Sequence, residues 1–367
     1  MELTKCKLGE LITQRREKND GSDLPICGVS KDGLIPPKQK EADTSIYNVF
    51  YRDDFIFNPA RMELNSIAIN DMYDRAICSS LYEVFYVHRT DLLLPHYLKL
   101  IIRQKRFTRY CEFLGQGSAR EYCRFSNISE IEIEFPPVEE QQKIVDYNTV
   151  IENRIALKQK INDNLEATAQ AYFDNLFFSC DDTDCTLADI ALVNPSRPLS
   201  KGVEARCFDM STLPTSGCIP TGDTTKPYNG GVRFINGDTL IARITPCLEN
   251  GKAAYINILN EGEVAFGSTE YIVFASKDDI PSCFYYFLIR NSKFVTFALQ
   301  FMNGSSGRQR VSGEELASFP LMIPSKEKLA AFNKVGKLVL EQMKESTEEI
   351  QFLKQLQETI TATLSSN

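Results

Sequence analysis

Apolar and polar positions alternate along the chain with two different periods, and the longer period gives the clearest elements. Residues 139–178 contain neither Gly nor Pro. Their apolar positions Ile144, Tyr147, Ile151, Ile155, Leu157, Ile161, Leu165, Ala169, Tyr172 and Leu176 are spaced almost throughout by three or four, which predicts a single helical face. Residues 325–364 contain one Gly and no Pro. Two heptad series run through them: Phe332, Val339, Ser346, Leu353, Ile360 and Gly336, Met343, Ile350, Gln357, Leu364. That is the pattern of a coiled-coil seam. At 1.5 Å per residue each helix is expected to be roughly 60 Å long. Their apolar stripes are expected to pack on each other, because otherwise they would face water. Ahead of each helix the pattern shortens. Strands are predicted at residues 82–87, 239–244 and 271–275, punctuated by Gly, Pro, Asn and Asp turns. Residues 94–110 and 281–301 read as helices that begin at or near a Pro. Pro136-Pro137 and Pro324 close the two mixed regions.

The two halves repeat one another. Leu8-Gly9-Glu10-Leu11 resembles Leu187-Ala188-Asp189-Ile190, and the string from Cys78 to Phe85 resembles that from Gly267 to Phe274. Arg103 and Phe107 match Arg290 and Phe294. Gly117-Ser118-Ala119-Arg120 matches Ser305-Ser306-Gly307-Arg308, and Phe135-Pro136 matches Ile323-Pro324. Each match is weak alone. Their shared order and nearly constant offset predict a tandem duplication whose loops carry insertions.

Composition changes this picture little at first. The 367 residues are 25% charged and 43% apolar, with a formal net charge of −8, which taken alone argues against a polyanion binder. The sequence has no apolar run near the ~20 residues of a membrane span, and residues 1–6 lack the apolar core of a secretory signal. The eleven cysteines show no CxxC spacing, so reduced thiols in a cytoplasmic protein are expected. Local charge alters the reading. Between Lys99 and Arg124 lie seven basic and two acidic residues, and between Pro281 and Gly313 four basic and no acidic ones. Each repeat therefore offers one basic strip in an acidic molecule, and basic strips hold phosphate backbones. The Gly- and Ser-rich loops 115–120 and 303–308 end those strips. There backbone N–H groups could approach phosphate, and an Arg could grip phosphate or a guanine edge.

Catalytic signatures are missing from the sequence. It has no GxxxxGK[ST], no GxGxxG after a strand, and no Asn/Asp-Pro-Pro-aromatic motif of an adenine methyltransferase; Phe57-Asn58-Pro59-Ala60 and Val193-Asn194-Pro195-Ser196 do not fit it. Asp181-Asp182-Thr183-Asp184 reads as a solvated linker. The only histidines are His88 and His96, which leaves little room for a His-based metal or triad site.

Four strings make the chain resemble the specificity subunit of type I restriction–modification systems. One spans residues 237–252, opening Gly237-Asp238-Thr239 and running through Ala242-Arg243-Ile244-Thr245-Pro246. The others are Phe266-Gly267-Ser268-Thr269-Glu270-Tyr271, Gly304-Ser305-Ser306-Gly307-Arg308-Gln309-Arg310-Val311, and Phe135-Pro136-Pro137-Val138-Glu139-Glu140-Gln141-Gln142. The first half departs from the pattern, with Phe57-Asn58-Pro59-Ala60-Arg61 and Cys78-Ser79-Ser80 in the matching places.

The resemblance implies an α+β chain of two tandem globular target-recognition domains separated by an antiparallel pair of long helices. The domains are expected at residues 1–136 and 180–324, and the spacer helices at 137–179 and 325–367. It further implies that each domain reads one part of a split, non-palindromic site in double-stranded DNA. The helices would dock two methyltransferase subunits, and restriction/motor subunits would complete the complex. No cofactor is expected on this chain: S-adenosylmethionine belongs to the methyltransferase partner, and ATP and Mg to the restriction partner. No catalytic or metal-binding residue is expected here. The residues expected to meet DNA are Arg103, Lys105, Arg106, Arg109, Ser118, Arg120 and Arg124 in the first repeat. In the second they are Arg290, Lys293, Ser306, Arg308 and Arg310. Lys31, Lys38, Lys226 and Tyr228 lie in polar loops as further candidates. Two other readings are a coiled-coil scaffold with peptide-binding domains and a self-contained DNA-modifying enzyme. Steep salt dependence of binding would exclude the first; turnover by the isolated chain would favour the second.

Overall fold

A computed structural model describes residues 3–31, 33–37, 43–115, 122–179, 182–305, 307–322 and 324–363. The chain divides into two compact units, Met1–Asn153 with Lys354–Asn367, and Arg154–Leu353.

The strands of the first unit are β1 (Thr4–Lys7), β2 (Ile12–Arg15), β3 (Ile26–Ser30), β4 (Gly33–Ile35), β5 (Asn48–Tyr51), β6 (Phe55–Phe57), β7 (Ile67–Ile69), β8 (Arg75–Cys78), β9 (Glu83–Val87) and β10 (Glu132–Phe135). They form an antiparallel sheet in the order β2-β9-β6-β7, a mixed sheet in the order β4-β3-β8-β5 with β3 and β8 parallel, and a β1–β10 pair. Period-two alternation explains the layering. Phe55, Phe57 and Phe85 enter one core together with Tyr97, Leu98 and Phe107, whereas Ile56 and Val84 enter a second core with Val29 and Phe50. The β2-β9-β6-β7 sheet is thus buried on both faces. Helices α1 (Pro95–Ile102), α2 (Lys105–Gly115) and α3 (Phe125–Ser129) belong to this unit, and α4 (Val138–Phe177) begins in it.

The second unit repeats this order strand for strand. Its strands are β11 (Cys185–Thr186), β12 (Ala191–Val193), β13 (Glu204–Phe208), β14 (Thr224–Pro227), β15 (Val232–Phe234), β16 (Thr239–Ala242), β17 (Ala253–Tyr255), β18 (Ala265–Gly267), β19 (Tyr271–Ser276) and β20 (Pro320–Leu321). The sheets run β12-β19-β16-β17 and β14-β13-β18-β15, again with one parallel pair, β13–β18, and β11 pairs with β20. Ile241, Ile272 and Phe274 face one core while Leu240, Tyr271 and Val273 face the other. The helices are α5 (Leu187–Ile190), α6 (Cys283–Arg290), α7 (Ser292–Gln300), α8 (Gly313–Ala317) and α9 (Lys326–Thr363). The expected duplication is therefore present in the topology itself.

Three expectations need correction. Residues 94–110 and 281–301 do not form single helices: each is two helices with a break. In the second repeat the cause is Asn291. Its side-chain oxygen accepts the N–H groups of Lys293 (2.9 Å) and Phe294 (3.3 Å), capping α7, while its amide donates to Asp174 (2.8 Å). The strand expected at 239–244 stops at Ala242. The third correction is the seam of α4. Tyr147 (66% exposed), Leu157 (59%) and Ile161 (39%) face outward. Ile151 and Ala169 of the expected stripe are buried, but the buried face also runs through the polar Gln141, Asn148 and Asn162, which stand seven residues or a multiple from Ala169. Two of these polar residues, Gln141 and Asn148, are held there by hydrogen-bond partners. Gln141 binds the Leu94 N–H (2.9 Å) and the carbonyls of Leu92 (2.7 Å) and Pro136 (2.8 Å). Asn148 accepts from Gln357 at 2.9 Å.

In the second unit α4 and α9 run antiparallel. Glu349 pairs with Lys158 (2.8 Å) and with Arg154, and Asn162 lies 3.4 Å from the Thr347 hydroxyl. Phe332, Met343, Ile350 and Leu353 of the expected heptads are buried on α9, and Leu340, outside both series, is buried with them.

Candidate nucleic-acid interface

The three strings of the second repeat that carry the family resemblance converge in space. After β16 the chain turns through Arg243-Ile244-Thr245-Pro246, with a cis Thr245–Pro246 bond. The Arg243 N–H donates to the Glu270 carbonyl (2.9 Å), and the Arg243 carbonyl accepts from the Val311 N–H (3.0 Å). Thr245 and Gln309 are joined twice: the Thr245 N–H donates to the Gln309 carbonyl (3.0 Å), and the Gln309 N–H to the Thr245 hydroxyl (3.1 Å). Arg310 and Asn303 exchange backbone hydrogen bonds of 2.9 and 2.8 Å, which closes residues 303–310 into a loop. Gly267 sits under this assembly because no side chain fits there. A Cβ would lie 2.5 Å from the Tyr271 ring and 2.6 Å from the Phe208 carbonyl.

Charge within the cluster is organised around Glu270. Its carboxylate takes Arg310 Nε at 2.9 and 3.0 Å and Nη2 at 2.7 Å, and Arg243 stands 3.9 Å away. Hydrogen bonding by Arg310 holds the carboxyl below its ordinary value of 4.5. A carboxylate depressed in this way stabilises the fold above pH 4.5 and loses that contribution as pH falls through its lowered value. The stability gap between wild type and Glu270→Gln is accordingly expected to be roughly 1 kcal/mol near neutral pH and to close below pH 4.5. Denaturant unfolding measured across that range checks it, and a gap that widens in acid would refute it.

The sequence-derived residues fall into distinct groups. Lys105, Arg106 and Arg109 project from the exposed face of α2, where Arg106 also lies over the Tyr110 ring at 5.5 Å. Arg103 ends α1 and donates to the Lys31 carbonyl at the tip of the β3–β4 hairpin. Lys31, Arg103, Lys105 and Arg106 thereby meet around an open cleft of about 1060 Å³, shared with Lys99 and Glu152. Arg124 is exposed, 3.7 Å from Glu83 and 5.6 Å from the Tyr122 ring centre. Lys293 is exposed on α7, and Arg308 is exposed on the 303–310 loop. Lys226 pairs with Asp209 (3.3 Å), and Tyr228 packs against Phe266 with its hydroxyl on the Gly231 carbonyl (3.3 Å). Ser118, Arg120, Ser306 and Lys38 lie outside the described residues.

Arg290 does not belong with the others. Its side chain is only 16% exposed and its donors serve the chain itself. They reach the carbonyls of Gly251 (2.8 Å), Gly217 (3.2 Å) and Thr215 (3.4 Å), beside Glu166 at 3.4 Å and the Tyr286 hydroxyl at 3.4 Å. Arg310 is only partly available, since Glu270 holds its fork. Sequence reasoning did not single out Glu270 and Arg243, although both lie in the quoted strings. Being a Glu in a basic neighbourhood, Glu270 gave no charge signal.

Residues 6–167 and 221–362 match the family model of the type I restriction modification DNA specificity domain, and the chain belongs to that family. It is 28% identical over 197 residues to the specificity subunit of the type I restriction enzyme EcoEI from Escherichia coli, an alignment covering 49% of this chain and 32% of that subunit. It is 30% identical over 93 residues to the HindI specificity subunit from Haemophilus influenzae, covering 25% of this chain and 20% of that one. These matches span about a third or less of the relatives' own length. The crystal structure of a type I restriction–modification S subunit from M. genitalium shares the fold, with a TM-score of 0.60 at 15% identity, over 99% of this chain and 96% of that one.

Proposed function

We propose that the chain is the DNA sequence-specificity subunit of a type I restriction–modification complex and performs no chemistry itself. The observation that carries this reading is the pair of topologically identical units, each presenting exposed cations. Two readers of one fold but different loops suit a split, non-palindromic site. In each, the cations would hold the phosphate backbone while loop residues read base edges. Methylation of a duplex adenine requires the base to be flipped into a catalytic pocket. That work, with S-adenosylmethionine, falls to methyltransferase subunits; ATP and Mg serve the restriction subunits. The methyltransferase subunits would dock on the helices, where the outward apolar side chains fit a partner. Those side chains are Tyr147 and Val150 in the first unit, and Leu157, Leu338 and Phe352 in the second. The complex would act in the cytoplasm. No helix among the described residues is long and apolar enough to cross a membrane.

The test is Arg308→Ala. Affinity of the assembled complex for DNA is expected to fall roughly tenfold, and the slope of log affinity against log salt to shrink by about 1 if Arg308 meets a phosphate. Unchanged affinity at every salt concentration would reject the assignment.

A further inference from the structure

Glu270 is bonded to both strings that flank it in the loop cluster of the second unit, through Arg243 and through Arg310. Its carbonyl accepts from Arg243, and its carboxylate grips Arg310 along the guanidinium edge. Arg310 passes the constraint on, because its remaining nitrogen, Nη1, donates to the Arg308 carbonyl at 3.2 Å. The Arg308 N–H in turn donates to the Ser305 carbonyl at 2.9 Å. The backbone that presents the exposed Arg308 side chain is thus tied from both sides. The carboxylate also offsets a charge that would otherwise attract any phosphate.

We infer that Glu270 is a specificity-determining positioning residue: through Arg310 it fixes the 303–310 loop so that Arg308 meets one base edge in a set register. The inference rests on the proposed DNA-reading function. An arginine on a loose loop binds phosphates whatever the sequence. Discrimination by a bidentate fork needs placement to within about 0.5 Å. Among the described residues of the first repeat, no such arginine fork is held at the matching places, although Arg124 and Glu83 stand 3.7 Å apart nearby. In the offsets that align the halves, Leu81, which is 79% exposed, stands where Glu270 stands, and Tyr122 stands where Arg310 stands. The effect of losing Glu270 therefore belongs to one reader and to one half of the split site.

The experiment is to co-express the chain with its methyltransferase partners and map the methylated adenines, for wild type, Glu270→Ala and Arg310→Lys. Arg310→Lys keeps the charge and loses the fork, and it answers the question should Glu270→Ala fail to assemble. The expected result is a motif that broadens at about one to three base pairs of one half and stays intact in the other, with discrimination there falling roughly ten- to a hundredfold. An unchanged motif in an assembled variant complex overturns the inference and leaves the DNA-reading function standing. Uniform loss of methylation with both halves intact also overturns it, because a merely structural residue would do that. A wild-type complex that methylates without a split motif overturns the function itself and the inference with it.

Discussion

Replacing Arg290 by Ala is expected to destabilise the second unit by roughly 3–5 kcal/mol, the cost of removing one partner from a buried charge pair. Three physical losses add up. The carbonyls of Gly217 and Gly251 each lose a charge-assisted donor, at 3.2 and 2.8 Å. Glu166, on α4, loses its cation. The Tyr286 hydroxyl, which burial already pushes well above its ordinary value, is left between that carboxylate and the Gly217 carbonyl. Because Arg290 closes α6 against the loops before β14 and β17, the loss is expected in thermal or denaturant unfolding. Any weakening of DNA binding should track the unfolded fraction. A variant of native stability with selectively weakened DNA binding would restore Arg290 to the interface and refute the structural assignment.

The opposite behaviour is expected from the α2 face. A chain carrying Lys105→Ala, Arg106→Ala and Arg109→Ala together should melt within about 1 kcal/mol of wild type, since exposed surface changes cost little. Its complex should bind DNA roughly a hundredfold more weakly at low salt. Each phosphate no longer neutralised removes about 0.9 from the slope of log affinity against log salt, so releasing three phosphates should flatten it by about 2.7. Titrations at several salt concentrations measure this directly. A slope that does not change would mean these cations face something other than DNA.

Much of the architecture was legible because it depends on short-range patterning. The heptads of α9 located its buried side, and the near-constant offset between halves announced a duplication that the sheet order displays. The α4 stripe holds at Ile151 and Ala169 and fails at Tyr147, Leu157 and Ile161 for a definite reason. Apolar residues at Tyr147, Leu157 and Ile161 outweighed Gln141, Asn148 and Asn162 in the pattern, yet the polar residues are buried, and Gln141 and Asn148 are held by partners elsewhere in the chain. No local period can show such partners. The same limit applies to charge. A count of basic residues placed Arg290 beside Arg308, whereas tertiary carbonyls absorb the first and leave the second exposed. The helix breaks escaped for a related reason. Asn291 carries no signal in sequence until its side chain is seen capping one helix at the end of another.

In each unit the first strand pairs with the last before the long helix: β1 with β10 through Thr4 and Phe135, β11 with β20 through Cys185 and Leu321. Chain entry and chain exit therefore lie side by side. A unit built this way is joined covalently to its helices at a single place, like a cassette on one clip, while side chains such as Gln141 and Glu166 add further contacts. Its whole loop set could be exchanged for another of the same fold without rerouting the backbone. On the proposed function, exchanging one unit in this way would replace one half of a split target and leave the other half untouched.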